Sequence, residues 1–242
     1  MSALLASAPR VRVGPRREAM SPQRLARITG ALYLVLAGLG MLGPLTLDAM
    51  LVPGDAAATA DNIAQSPALF NGSIGAWVLI VVVDVAVSVT LYLLLAPVSR
   101  GHSLLAAAFR LVYSAALGAL LVHLFLAHRL LTSTRGVDRQ AADLQALAAL
   151  ETFSSGFLVA LVFFGAHLVL LGTLLYRSRY VPRIFGPLLV AAGLGYVADS
   201  LASLMVDGYG GVVAAILLTP AVVGEIGLTI WFLLKGVTAG DR

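Results

Sequence analysis

The sequence predicts an all-α fold, a polytopic transmembrane helical bundle with six membrane spans, short loops and two short external amphipathic helices. Three observations lead there. Hydrophobic residues make up 60% of the 242 residues and charged ones 12%, against roughly half and roughly a quarter in soluble proteins. The apolar residues fall in uninterrupted blocks of about twenty or more, enough to cross a hydrocarbon core of about 30 Å. Lys and Arg gather on alternate connections between the blocks, as the positive-inside rule requires. In lipid every backbone amide needs an internal partner, so the spans are helices, and the period-two alternation of a barrel is absent. These numbers exclude soluble, disordered, collagenous and coiled-coil classes. With no cysteine, there is no disulfide framework, thiolate metal site or cysteine nucleophile.

Taken in order, residues 1–25 read as a basic, Pro-containing cytoplasmic tail without periodicity, disordered by composition. It leads directly into a full-length span and so acts as an uncleaved signal-anchor. Its arginines Arg10, Arg12, Arg16, Arg17 and Arg24 set orientation and can meet anionic headgroups, so the basic pI is no evidence for nucleic acid. A membrane domain follows over 26–236, with spans at 27–50, 72–96, 103–131, 152–176, 184–205 and 212–235, and a cytoplasmic tail at 237–242. Asp55–Phe70 predicts a short helix on the outer surface. Gln140–Glu151, with Leu144, Leu147 and Leu150 three apart, predicts another that runs on into the fourth span. With the N-terminus inside, Arg10, Arg12, Arg16, Arg17, Arg24, Arg27, Arg100, Arg177, Arg179, Arg183, Lys235 and Arg242 are cytoplasmic, twelve of the sixteen basic residues. Arg129, Arg135 and Arg139 fall outside, and Arg110 lies within a span. Both termini are therefore expected in the cytoplasm. Arginine outnumbers lysine fifteen to one, which suits a high-GC bacterial source; the expected location is the bacterial plasma membrane.

The informative charges are those inside the spans, where each costs about 2.5–3.5 kcal/mol at mid-bilayer. Counted from the cytoplasmic end, Arg110 lies about seven residues deep, Glu225 and His167 about ten, Asp84 about twelve and Asp199 about fifteen, a slab roughly 12 Å thick at 1.5 Å per residue. Tyr113, one turn above Arg110, and Tyr196, three residues before Asp199, can join it. Asp84 and Glu225 each have a hydroxyl four residues on, Ser88 and Thr229. One permanent cation faces three acids. Arg110 can hold one carboxylate in a bidentate pair and touch a second; the remaining acid must be protonated, wet, paired with His167 or bound to a cation. Purely structural glue is the competing reading, but such contacts average only about 0.6 kcal/mol.

Other chemistry finds less support. His167, Asp84, Asp199 and Glu225 are suitable metal ligands, yet they come from four helices without a linking motif, and neither a metal nor another cofactor is predicted. His123 and His128 are five apart and do not share a helix face. No G-x-S-x-G, P-loop or dinucleotide fingerprint is present, which leans away from an enzyme. Pro44 and Pro220 can kink the first and last spans. Trp77, Trp231, Tyr92, Tyr176, Tyr180 and Tyr209 fall near span ends, as interface anchors do. Spans one–two and five–six carry a weak echo: Arg27-Ile28-Thr29-Gly30 against Arg183-Ile184-Phe185-Gly186, and Gly38-Leu39-Gly40 against Gly193-Leu194-Gly195. Parallel duplicated hairpins would produce it, and so would Gly-rich composition alone.

Several patterned segments occur in order along the chain. They include Ala26-Arg27-Ile28-Thr29-Gly30, Gly54-Asp55-Ala56-Ala57-Ala58-Thr59-Ala60, Asp84-Val85-Ala86 and Ala107-Ala108-Phe109-Arg110-Leu111-Val112. The longest run is Phe163-Phe164-Gly165-Ala166-His167 through Leu174-Leu175-Tyr176-Arg177-Ser178 to Pro182-Arg183-Ile184, followed by Gly193-Leu194-Gly195-Tyr196, Asp199-Ser200-Leu201 and Gly224-Glu225. In these the chain resembles the bacterial integral-membrane family known as domain of unknown function 4386, over roughly residues 24–236. The resemblance implies a multi-pass bundle carrying Asp84, Arg110, His167, Asp199 and Glu225 at family-typical positions, and implies no activity.

The leading expectation is a small proton- or cation-coupled carrier in which Asp84, Asp199 and Glu225 bind the proton or cation, Arg110 tunes them and His167 relays. An intramembrane enzyme acting on a lipid or isoprenoid-like substrate is the alternative, with an acid as proton donor and Arg110 binding a headgroup. A non-catalytic membrane sensor or interaction module is the third. The expected partners are the lipid bilayer and a small molecule, lipid or proton, with no nucleic acid.

Overall fold

The computed structural model describes residues 20–132 and 138–237. Most of the expected N-terminal tail (residues 1–19), Arg135 and the last five residues of the chain lie outside the described residues. The elements are α1 (Pro22–Met50), α2 (Ala56–Gln65), α3 (Pro67–Leu95), α4 (Arg100–Thr132), α5 (Arg139–Ser178), α6 (Phe185–Met205) and α7 (Gly211–Leu234). All but α2 are long and apolar enough to cross a membrane, which makes six spans and implies a lipid bilayer around them. No strand occurs among the described residues.

Local chemistry sets the helix starts. The Ser21 side chain accepts from the Arg24 amide and Pro22 opens α1, both favoured where the first amides lack partners. Asp55 accepts from Ala58 N–H at 2.9 Å and begins α2. Pro67 disfavours helical backbone at Ser66, whose φ of −139° and ψ of 56° break α2 from α3.

One expectation is met in full here. The segment 140–151 runs on into the fourth span as expected, forming the first part of the 40-residue α5, about 60 Å long at 1.5 Å per residue and twice the hydrocarbon core. No Gly or Pro interrupts 139–155, and Thr152 donates to the Ala148 carbonyl at 2.7 Å across the expected boundary. Asp138 caps its start by accepting from the Gln140 and Ala141 amides. The extension supports α2, which packs on it, while Glu151 accepts from the Gly54 amide at 3.2 Å. The segment 55–70 holds the separate short helix α2 and the first turn of α3.

The spans form a ring. Helix α1 packs on α3, α3 on α4, α4 on α5, α5 on α6 and α6 on α7, and α7 returns against α1. Short connections make neighbours antiparallel. Glycines let the α5–α6 seam close to backbone contact at two levels. A Cβ on Gly165 would meet the Gly193 carbonyl oxygen at 2.6 Å, and one on Gly172 the Gly186 carbonyl oxygen at 2.6 Å. At the α7–α1 seam, Gln23 donates to the Lys235 carbonyl and accepts from the Val237 amide, both at 2.9 Å. Pro44 and Pro220 both lie inside continuous helices.

Trp77 is a correction. It is 3% exposed, with its ring edge-on to Phe153 and Phe157 at 5.0 Å. It is a core residue of α3 and not an interface anchor, because α5 covers that face of α3. Large apolar side chains such as Leu34, Met41, Val82, Val122 and Ile226 face outward, as lipid-facing positions do.

Candidate functional site

The largest fully buried side chain is a cation. Arg110, in the second turn-pair of α4, is 1% exposed and points inward because the α4 face carrying Ser103, Ala106, Ala107, Tyr113, Ser114 and Leu117 is the buried one. Its Nη2 donates to Asp84 Oδ1 of α3 in a close ion pair. Its Nη1 donates to the Tyr33 hydroxyl of α1 at 3.1 Å and lies 3.1 Å from His167 Nε2 of α5. The guanidinium also sits over the rings of Tyr33 and Phe164, each centroid 5.2 Å from Cζ, a favourable cation–π arrangement. Four helices thus meet on one side chain.

Each partner is itself braced. Ser114, one turn after Arg110, donates to Asp84 Oδ2 at 2.6 Å. His167 Nδ1 lies 2.9 Å from the Ala106 carbonyl. That carbonyl can only accept, so Nδ1 carries the proton, and the bare Nε2 accepts from Arg110. Both ring nitrogens are committed to a neutral imidazole. Arg110 Nε has no acceptor among the described residues, an unusual state for a buried donor.

Of the five ionisable residues expected at one depth, the structure brings Asp84, Arg110 and His167 into one hydrogen-bonded group. The other two make no hydrogen bond to that group, although Glu225 stays within electrostatic range of Arg110. Glu225 on α7 is half-buried and accepts from the Tyr196 hydroxyl of α6 at 3.2 Å. Asp199 on α6 is buried and accepts from the Tyr209 hydroxyl in the α6–α7 connection at 2.8 Å. Phe164 stands between the two groups, its ring 5.0 Å from Tyr113, 5.9 Å from His167 and 5.5 Å from Tyr196. Ser88 and Thr229 bond elsewhere than to their acids: Ser88 donates to the Ala107 carbonyl of α4 at 3.0 Å, and Thr229 to the Glu225 backbone carbonyl at 2.7 Å. Among the described residues no three His, Asp or Glu side chains converge as a metal centre would need.

Tyr33, Ser114 and Phe164 are absent from the sequence-based set. A usable signal exists for Ser114, a small hydroxyl one helical turn from an intramembrane arginine, and for Tyr33, one turn after Thr29 on the buried face of α1. Phe164 carries no such mark.

A family model described as Domain of unknown function (DUF4386) matches residues 28–236. An uncharacterized protein of Archaeoglobus fulgidus is 34% identical over 158 residues, covering 65% of this chain and 80% of that protein. No solved structure matches the chain. The family match runs from the first turns of α1 past the end of α7 and takes in every side chain of the buried group, so the chain is a multi-pass membrane protein belonging to the family described as Domain of unknown function (DUF4386).

Proposed function

We propose that the protein is a small proton- or cation-coupled carrier of the plasma membrane, with Glu225 as the exchanging carboxylate. One observation carries this reading: the one buried arginine among the described residues gives its hydrogen bonds to Asp84, Tyr33 and His167 and none to Glu225, whose only side-chain hydrogen-bond partner among the described residues is a tyrosine hydroxyl. A carboxylate inside the membrane without a cation at hydrogen-bonding distance needs a proton, a cation or water to neutralise it. The braced Asp84–Arg110–His167 group suits a fixed scaffold, which reassigns His167 from relay to support. Helix α7 suits the moving part. Its apolar stretch is the least buried of the six spans, and Pro220 weakens its hydrogen bonding five residues before Glu225. The basic end, which carries Arg24, Arg27, Arg100, Arg177, Arg183 and Lys235, faces the cytoplasm in this reading, and no resident cofactor takes part.

Proteoliposomes on a solid-supported membrane test it without knowledge of the substrate. A step from mildly alkaline to mildly acidic buffer should displace charge as protons bind in the wild type, and Glu225→Gln should remove that transient while Asp84→Asn, if folded, keeps it. Absence of a transient in the wild type under pH steps and under Na+ and K+ steps would overturn the proposal.

A further inference from the structure

Outside the ring, where α5 meets α6, a groove of about 590 Å³ runs inward from the basic end of the bundle. That volume lies within the about 300–1,000 Å³ of ordinary small-molecule sites. Gly172 and Gly186 bring the two backbones together, so the larger side chains diverge on either side of the contact and leave a trough. Pro187, Val190, Ala191 and Leu194 of α6 line its apolar length, about 10 Å from Pro187 to Leu194 by helix rise. At its mouth stand Thr173, Tyr176 and Arg177, with Arg183 stacked over the Tyr176 ring, Cζ 5.6 Å from the centroid.

The charge at that mouth is one-sided. No Asp or Glu occurs between Glu151 and Asp199. Neither Arg177 nor Arg183 has an ion-pair partner among the described residues. The helices packed beside them bring only more positive charge to this end, Arg100 from α4 and Lys235 from α7. An apolar trough ending at two guanidiniums that have no ion-pair partner among the described residues matches one molecule in a bilayer. Basic pockets between spans at this depth suit anionic headgroups, and guanidinium is the side chain best fitted to phosphate.

We infer that the α5–α6 groove is a binding site for an anionic phospholipid, with an acyl chain along Val190, Ala191 and Leu194 and the phosphate held by Arg177 and Arg183. The site is separate from the Arg110 group and does not depend on the carrier reading.

The test is thermal unfolding of the delipidated protein in uncharged detergent with added phosphatidylglycerol or phosphatidylcholine of the same chains. Phosphatidylglycerol should raise the Tm of the wild type well beyond phosphatidylcholine. The difference should vanish in Arg177→Gln/Arg183→Gln and in Ala191→Trp, which fills the trough without touching charge, and persist in Arg27→Gln/Arg100→Gln, which removes equal charge from the same end. If Ala191→Trp does not fold, Leu194→Phe serves in its place. Equal shifts with the two lipids overturn the inference, as does loss in Arg27→Gln/Arg100→Gln equal to that in Arg177→Gln/Arg183→Gln. An equal shift from inorganic phosphate alone also overturns it by leaving the trough without a role. A wild-type dimer in detergent that Ala191→Trp converts to monomer would assign the groove to a second copy of this chain instead.

Discussion

Replacing Asp84 by alanine removes the charge partner of Arg110, the largest fully buried side chain among the described residues. Arg110 is 1% exposed and Asp84 2% exposed, so solvent cannot substitute for the lost carboxylate. Removing one member of a buried pair costs about 3–5 kcal/mol, because the other charge is left unpaired. The structure argues for the lower part of that range. Tyr33 and His167 still accept from Arg110 Nη1, and Ser114 keeps its bond to the Arg110 carbonyl at 3.0 Å, so about 3 kcal/mol is expected. Unfolding by SDS titration in mixed micelles measures it. The companion variant Asp84→Leu/Arg110→Met removes both charges at similar volume and should lose markedly less than the single change. A single variant within about 1 kcal/mol of wild type, or a double variant as unstable as the single, would refute the account of Arg110 as a buried cation held by Asp84.

Further outcomes follow from the same contacts. His167→Ala removes one of the two acceptors of Arg110 Nη1, which keeps Tyr33, and the side-chain donor to the Ala106 carbonyl, and should cost about 1–3 kcal/mol in the same titration, whereas Ser88→Ala, one bond from α3 to the Ala107 carbonyl, should cost about 1 kcal/mol. Gly165→Ala places a methyl 2.6 Å from the Gly193 carbonyl oxygen and 2.7 Å from Val197 Cγ2; forcing α5 and α6 apart should cost about 1–3 kcal/mol, while Gly38→Ala, with open space around it, should be neutral. The chain has no cysteine, so single cysteines report topology directly. A membrane-impermeant maleimide should label Asp61→Cys in intact cells and Ser178→Cys only after permeabilisation, and the reverse pattern would invert the proposed orientation.

The six spans were legible because bilayer thickness fixes the length of an apolar run, whatever its packing. Depth was legible for the same reason, and it placed Asp84, Arg110 and His167 close enough to bond. Depth carries no information about rotation around a helix axis. Glu225 and Asp199 therefore share the level of Arg110 and yet bond to Tyr196 and Tyr209. Hydroxyls were read from their own helix, as Ser88 beside Asp84, although a buried carboxylate takes its donors from whichever helix faces it. Ser114 on α4 is that donor. Trp77 misled because indole suits both an interface and a core, and only the position of Phe153 and Phe157 on α5 decides between them.

The seam between α7 and α1 bears on how the molecule is made. The Gln23–Lys235 bond joins residues 212 positions apart, so during synthesis α1 waits for α7 before that neighbour exists. During that interval Gly30 presents bare backbone and Gln23 a bare amide toward lipid and water, on a face that later meets Phe232 and Leu233. An edge left open through synthesis marks an unfinished chain, and incompletely packed chains are the ones prone to misassembly and to recognition by cellular surveillance. The seam thus gives the cell a physical signature separating a closed ring from a truncated one.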